Sequence, residues 1–412
     1  MVTFNIIDYV VFGVVLLISL GIGVFFSFRQ KSPSEYFLGG RKLKLLPVTI
    51  SITATITSVH SLLGTPAEIY VNGTQYFMHI FGVLLGTTLG GFLFVPLFHP
   101  LGLTSVFEYL ESRYKSRKIR LSLNAILLIG NIVVNSAGIY GPSVAMHTMT
   151  GQPTWLFIVL FGVVTTIYTS IGGMKAVILA DVFQAFFIYA GVITVCVLGL
   201  VKVGGIGAAV HLHSKWDRLT FFNMNPDPTI HSSFWSSVIG YASVAFCLSH
   251  IQPTMQRYCS LPKLSTAKRS MYITAGLLFV THFFFALSGF AAFAYYARIS
   301  CDPLRARMIR SPNQILPYFV MEVLTLPGLP GLFVACVACT ALSTSSSVLN
   351  GCAAVIWDDF MSRRYSHWSE KAKATASKVI GKWYYFLQSC KIIYYVLQKC
   401  FCLNFPNFNF VF

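Results

Sequence analysis

Charge is what this sequence has least of. Only 10% of its 412 residues are Asp, Glu, Lys or Arg, against about a quarter in a soluble domain. Thirteen acids and 30 basic residues cannot coat a water-soluble protein of this size. Short segments of alternating apolar and polar residues are absent too, which excludes a membrane β-barrel. No H-E-x-x-H, G-x-S-x-G or carboxylate cluster occurs, so no enzyme is expected. The ten cysteines form no framework. Cys196, Cys247, Cys336, Cys339 and Cys352 fall in apolar runs, and only Cys301 falls in an expected outer loop. Cys336 and Cys339 read as small packing residues of a helix. Residues 1–8 carry no basic segment, so the apolar run after them reads as a spanning helix and not a cleaved leader.

What is there is apolar length. The chain is 55% hydrophobic and 15% aromatic. Nine runs are long enough to cross a bilayer: 8–28, 47–70, 77–98, 121–147, 155–171, 177–201, 234–258, 271–296 and 331–357. The expected fold class is an all-α polytopic membrane protein in a lipid bilayer. The net charge of +17 does not point to nucleic acid, because the basic residues sit in short loops. With the N-terminus outside, inner loops hold 19 of them and outer loops 7. That bias places the N-terminus outside and the residues after 358 in the cytosol.

Two spans contain helix breakers. Gly64-Thr65-Pro66 interrupts 47–70, and Gln252-Pro253 interrupts 234–258. The two lie five spans apart and near opposite membrane faces, the pattern of an inverted repeat of five helices. Unrelated kinks would look the same. Asn124, Asn131 and Asn135 share one helical face, expected to bond across to neighbouring helices. His79 and His282 read as lone packing histidines. Asp181 follows Gly172-Gly173-Met174-Lys175 and reads either as a helix cap or as a charge gating the inner end. The richest stretch is Thr340-Ala-Leu-Ser-Thr-Ser-Ser-Ser-Val-Leu-Asn350. Thr340, Ser343, Thr344 and Ser347 recur at helical spacing, so four hydroxyls share a face within a span. Lipid leaves such a face no water, and uncharged oxygens suit a weakly held alkali cation.

Four stretches, in order, resemble the sodium/solute symporters. They are Asp8-Tyr-Val-Val-Phe12, Gly64-Thr-Pro-Ala-Glu-Ile-Tyr70, Tyr168-Thr-Ser-Ile-Gly-Gly-Met-Lys-Ala176 continuing to Asp181-Val-Phe-Gln184, and Ala341-Leu-Ser-Thr344 through Asn350. The second and third look most like the branch carrying monocarboxylates, iodide and water-soluble vitamins. The resemblance implies a leucine-transporter-like core of inverted five-helix repeats. Residues 1–28 would be a peripheral helix, 47–201 the first repeat, and 234–357 three helices of an incomplete second. Residues 358–412 would be a basic, aromatic cytosolic tail. It further implies a sodium site with backbone carbonyls from Ala54, Thr57 and Thr340 and hydroxyls from Ser343 and Thr344. Ser61 and Gln252 would touch the solute, although Ile251 stands where the family usually has asparagine. The function implied is sodium-coupled symport of a small organic anion, a vitamin or an inorganic anion across the plasma membrane. Sodium is the coupling ion, and no other cofactor is implied. The other reading is a truncated, non-transporting isoform that associates with a full-length symporter.

Overall fold

The computed structural model describes residues 4–27, 32–227, 229–370 and 372–384. All regular structure in them is helical. Helix α1 is Ile6–Ser27, and the short α2 is Pro33–Leu38. A bent pair follows, α3 (Leu45–Ile56) and α4 (Val59–Asn72), then α5 (His79–Phe98) and the short α6 (Glu108–Tyr114). Helices α7 (Arg117–Thr150) and α8 (Thr154–Val203) are long, and α9 (Ile206–Lys215) is short. A second interrupted span comprises a π-helical turn at Ser236–Gly240, α10 (Tyr241–Leu248) and α11 (Gln252–Cys259). Helices α12 (Leu264–Ile299), α13 (Ile315–Val323) and α14 (Leu329–Val355) follow, and a π-helical turn at Ile356–Met361 continues from α14. Among the described residues six helices are long and apolar enough to cross a membrane, and α3 with α4 makes a seventh, bent by 56°.

The expected spans 155–171 and 177–201 are the two legs of α8. A straight helix of 50 residues would run about 75 Å, far beyond a hydrocarbon core of about 30 Å. The kink at Gly173, with φ 58° and ψ −162°, separates the legs. Only glycine adopts that backbone without strain.

Both breaks sit elsewhere than the prolines suggest. The first is at Thr57-Ser58, and Pro66 stays inside α4. Ser58 is the reason: its hydroxyl accepts from the Ser61 N–H at 3.3 Å, starting a new helix there. Pro66 is held in close contact with α12, where a Cβ on Gly289 would lie 2.6 Å from its Cα. The second break covers Ser249–Ile251, and Pro253 opens α11 from its first turn, where a missing N–H costs nothing.

Helix α14 is the centre of the bundle. Of its most apolar stretch 83% is buried, against 17% for α7. Its N-terminus has no cap of its own. Asp8 of α1 supplies one, its Oδ1 accepting from Gly328 N and Gly331 N at 2.9 Å each. A carboxylate on a helix N-terminus is stabilising by about 0.3–1 kcal/mol when exposed and more when buried. The 358–412 stretch, expected to be a cytosolic tail, is not wholly free of the bundle. Residues 372–384 are helical, and Tyr384 donates to Leu128 O within α7 at 2.7 Å. The remaining aromatics of that expectation, from Tyr385 onward, lie outside the described residues.

Gly82, Gly86 and Gly90 line one face of α5 at four-residue spacing, against the π turn, α10 and Ser249. A methyl group at each would overlap Val238 O, Ala242 O and the Ser249 side chain respectively. Close backbone approach of this kind holds helices together where lipid gives no hydrophobic drive. Gly86→Ala is expected to lower the detergent-solubilised thermal midpoint, at a cost of about 1–3 kcal/mol. Gly130→Ala on α7, where nothing lies within 4 Å, should leave the midpoint unchanged or raise it. Equal effects at both positions would refute the close-packed seam.

Candidate functional site

The first broken span leaves backbone oxygen exposed to its neighbours. Helix α3 ends at Ile56; Thr53 O still accepts from Thr57 N at 2.9 Å, but the carbonyls after it lack the donors a continuing helix would supply. These carbonyls form the negative end of the helix dipole. Thr344 on α14 faces them, its Oγ1 3.4 Å from both Thr55 O and Thr57 O. That distance is too long for a strong hydrogen bond and leaves the oxygens available. Ala54, Thr57, Thr340 and Ser343 are all buried. Thr340 Oγ1 donates back to Cys336 O at 2.8 Å, which leaves its own carbonyl as the expected contribution. The structure therefore brings the expected ligands of α3 and α14 onto facing surfaces. Among the described residues no three His, Cys, Asp or Glu side chains gather as a metal site.

One helical turn along α14 the site becomes charged. Ser343 Oγ donates to Asp181 Oδ1 at 2.6 Å. Asp181 Oδ2 also receives Ser51 Oγ at 2.5 Å and Arg257 Nη2 at 3.0 Å. Arg257 Nε donates to Ser51 Oγ at 2.7 Å, its Nη1 to Pro253 O at 3.0 Å, and its Nη2 also to Ser347 Oγ. Ser347 Oγ reaches Thr55 Oγ1 at 2.8 Å. Asp181 and Arg257 are both fully buried. This overturns the cap reading of Asp181, which lies eight residues past the Gly173 kink in mid-helix. It also names a partner that sequence reasoning missed. The signal was present: an arginine within an apolar span demands a carboxylate, and Asp181 was the unassigned one at membrane depth.

The two expected solute residues separate. Ser61 is half-buried in the first turn of α4, beside the break, its Oγ 3.4 Å from Ser58 Oγ. Gln252 is committed elsewhere. Its Oε1 accepts from Val106 N at 2.9 Å and its Nε2 donates to Thr104 O at 2.7 Å. A side chain with both ends on backbone clips the start of α11 to the 104–106 loop.

Two further groupings were not foreseen. His79 and His282 are not lone: their ring centroids are 5.5 Å apart, with Tyr76 and Tyr241 packed on His79. At the far end of α14, Arg120 binds Glu111 at 2.7 Å, Asp358 at 2.8 Å and also Asp359. Ser105 Oγ donates to Asp359 at 3.0 Å, and Asn124 also donates to it. With Asn131 on Cys352 Sγ at 3.3 Å, two asparagines of the α7 face thus bond across to α14 and the turn after it, as expected.

Known proteins share this fold. A solved structure titled as the substrate-bound outward-open state of a Na+-coupled sialic acid symporter superposes with a TM-score of 0.86 at 26% identity. The match covers 95% of this chain and 83% of that one. The fold is therefore the leucine-transporter-like, all-α membrane fold. Human sodium-coupled monocarboxylate transporter 1 is 36% identical over 383 residues, covering 91% of this chain and 62% of the relative. The Xenopus laevis protein of the same name is 35% identical over 381 residues, covering 91% and 61%. The human sodium/iodide cotransporter is 35% identical over 367 residues, covering 88% and 57%. The chain thus spans about 60% of the length of these curated relatives. The sequence profile of the sodium:solute symporter family matches residues 36–393, more than four-fifths of the chain. With the broken span, the facing hydroxyls and these similarities in agreement, the chain belongs to the sodium:solute symporter family.

Proposed function

We propose that the chain carries out sodium-coupled symport of a small anion, most simply a monocarboxylate, across the plasma membrane. The observation that carries this is the meeting of the free carbonyl end of α3 with the Thr344 hydroxyl. Sodium would take the carbonyls of Ala54, Thr57 and Thr340 and the hydroxyls of Ser343 and Thr344. Ser343 donates its one proton to Asp181, which leaves its lone pairs for a cation. The solute would bind beside the break, near Ser61. The N-terminus is proposed outside, with the residues after 358 in the cytosol. Each sodium moving inward then gains about 2.3 kcal/mol per 100 mV, available to the solute if the two sites are thermodynamically coupled.

Asp181 is the proposed gate, acting through Arg257. The pair ties α8 and α11 together and, through Ser51 and Ser347, holds α3 and α14 as well. Opening that end of the protein has to part them. The proposed domain division keeps α1 peripheral, 47–201 as one repeat and 234–357 as part of the second.

Uptake of a labelled short-chain monocarboxylate into proteoliposomes is expected to require an inward sodium gradient. Uptake that is absent, or indifferent to sodium, would overturn the reading. Using the chain purified alone also separates symport from the reading as a non-transporting associate of a full-length symporter. Ser343→Ala and Thr344→Ala should each raise the sodium concentration for half-maximal uptake roughly tenfold, the equivalent of about 1.4 kcal/mol. A double variant that remains active with unaltered sodium dependence would remove the site.

The buried pair has its own test. Asp181→Asn strands the Arg257 charge and should cost about 3–5 kcal/mol of stability, seen as a lower thermal midpoint in detergent. Replacing both, Asp181→Leu with Arg257→Met, should recover most of that loss while abolishing coupling. If the double variant is as unstable as the single one, the two residues do not hold each other.

A further inference from the structure

Arg218 differs from the buried arginines described above. It follows α9 and lies outside every membrane span. Backbone bonds fix its place. Its own N–H donates to His213 O at 2.9 Å, and Thr74 Oγ1 donates to Arg218 O and Thr220 O at 2.9 Å each. Its guanidinium carbon rests 4.4 Å from the centre of the Phe293 ring. Its Nη2 donates to Val71 O in the last turn of α4.

These contacts use one face of the guanidinium and one N–H, while its other N–H groups lie open in its plane. Among the described residues no acid takes them. The neighbouring acid, Asp302, is committed elsewhere. Its Oδ1 accepts from Tyr70 OH at 2.9 Å and Leu304 N at 3.0 Å, and its Oδ2 pairs with Arg305 Nε at 3.5 Å. Arg218 is half-buried, and burial pushes its guanidinium below the usual arginine range against the pull of Tyr70 and Asp302. A cation so placed gains from a counter-anion, and a planar fork matches a carboxylate by two parallel bonds.

Its position along α4 gives that match a use. Val71 lies at the far end of the half-helix whose first turn carries Ser61, about 15 Å away along the axis. The last carbonyls of α4 and the Glu68 carboxylate make that end negative. An anion arriving there is repelled unless a fixed cation offsets them.

We propose that Arg218 captures the carboxylate of the incoming solute at the outer mouth, before the solute reaches the break near Ser61. This rests on the reading as a symporter of a small carboxylate, with this end of α4 outside. A fork held against an aromatic ring selects a planar carboxylate over a spherical anion such as iodide.

The test uses the purified full chain in sodium-free choline salts, treated with the arginine reagent phenylglyoxal and mapped by mass spectrometry. Replacing choline chloride by choline butyrate should slow the modification of Arg218 about threefold, the equivalent of about 0.7 kcal/mol. Choline iodide and neutral butyramide should not protect it. The exposed Arg117 and Arg310 should react at the same rate throughout. Neither sodium nor transport enters this assay, so its failure is distinct from failure of the symport reading. In uptake, Arg218→Gln removes the charge and should raise the half-saturating butyrate concentration roughly tenfold, with half-saturating sodium unmoved. A role only in capping α4 predicts no such change. Equal protection by iodide or butyramide would overturn the proposal, as would an Arg218 that never reacts or an Arg218→Gln variant with unaltered butyrate dependence.

Discussion

The buried contact between Asp181 and Arg257 is the constraint on which this structure turns. Removing two charges from water costs several kcal/mol per ion, and mutual attraction alone does not repay it. Such a pair persists where further hydrogen bonds satisfy the remaining protons and lone pairs. Here Ser51, Ser343, Ser347 and the Pro253 carbonyl supply them. Those four come from α3, α14 and α11, so satisfying the pair dictates how three helices stand around α8. Both interrupted spans send a half-helix to this one cluster. The breaks and the charges are thus one solution: shortened half-helices expose backbone ends in lipid, and a polar cluster is where such ends can go.

The rest of the scaffold serves to hold α14 against that cluster. Its N-terminus is fixed from outside the core by Asp8, whose carboxylate spans Gly328 and Gly331. Gly331 admits the approach because a Cβ there would lie 2.5 Å from Asp8 Cα. Its other end is anchored by Arg120 and the acids Asp358 and Asp359. A helix pinned at both ends cannot slide. The hydroxyls at Ser343, Thr344 and Ser347 therefore keep their register against α3. Helix α1, peripheral in the expected division, is in this sense part of the core's geometry.

Much of this was legible in the sequence. The hydroxyl face of α14 followed from four residues at helical spacing, and Thr340, Ser343 and Ser347 of that face are buried. The two legs of α8 were legible as the separate runs 155–171 and 177–201, but not that one helix kinked at Gly173 joins them. The breaks were misplaced because proline is only one way to interrupt a helix. Ser58 restarts a helix by capping, and nothing in composition distinguishes a capping serine from the many other serines here. Pro66 is absorbed because Gly289, distant in sequence, makes room for it. The contacts of Gln252 were not legible for a similar reason: they are backbone atoms of Thr104 and Val106, which carry no sequence signature.

The geometry also bears on how an ion and a gate could act on each other. Ser343 lies between the two, its carbonyl receiving Ser347 Oγ at 2.7 Å and its own Oγ given to Asp181. Ser347 in turn touches both Arg257 and Thr55. On the proposed reading, a cation drawing on the Ser343 lone pairs polarises its O–H and strengthens the bond to Asp181. A stronger Asp181 contact favours the arrangement in which Arg257 also remains in place. By reciprocity, the closed ion pair must then favour the bound cation by the same free energy. One hydroxyl is enough to link them, because Ser343 donates to the carboxylate with its only proton and can ligate with the oxygen that remains.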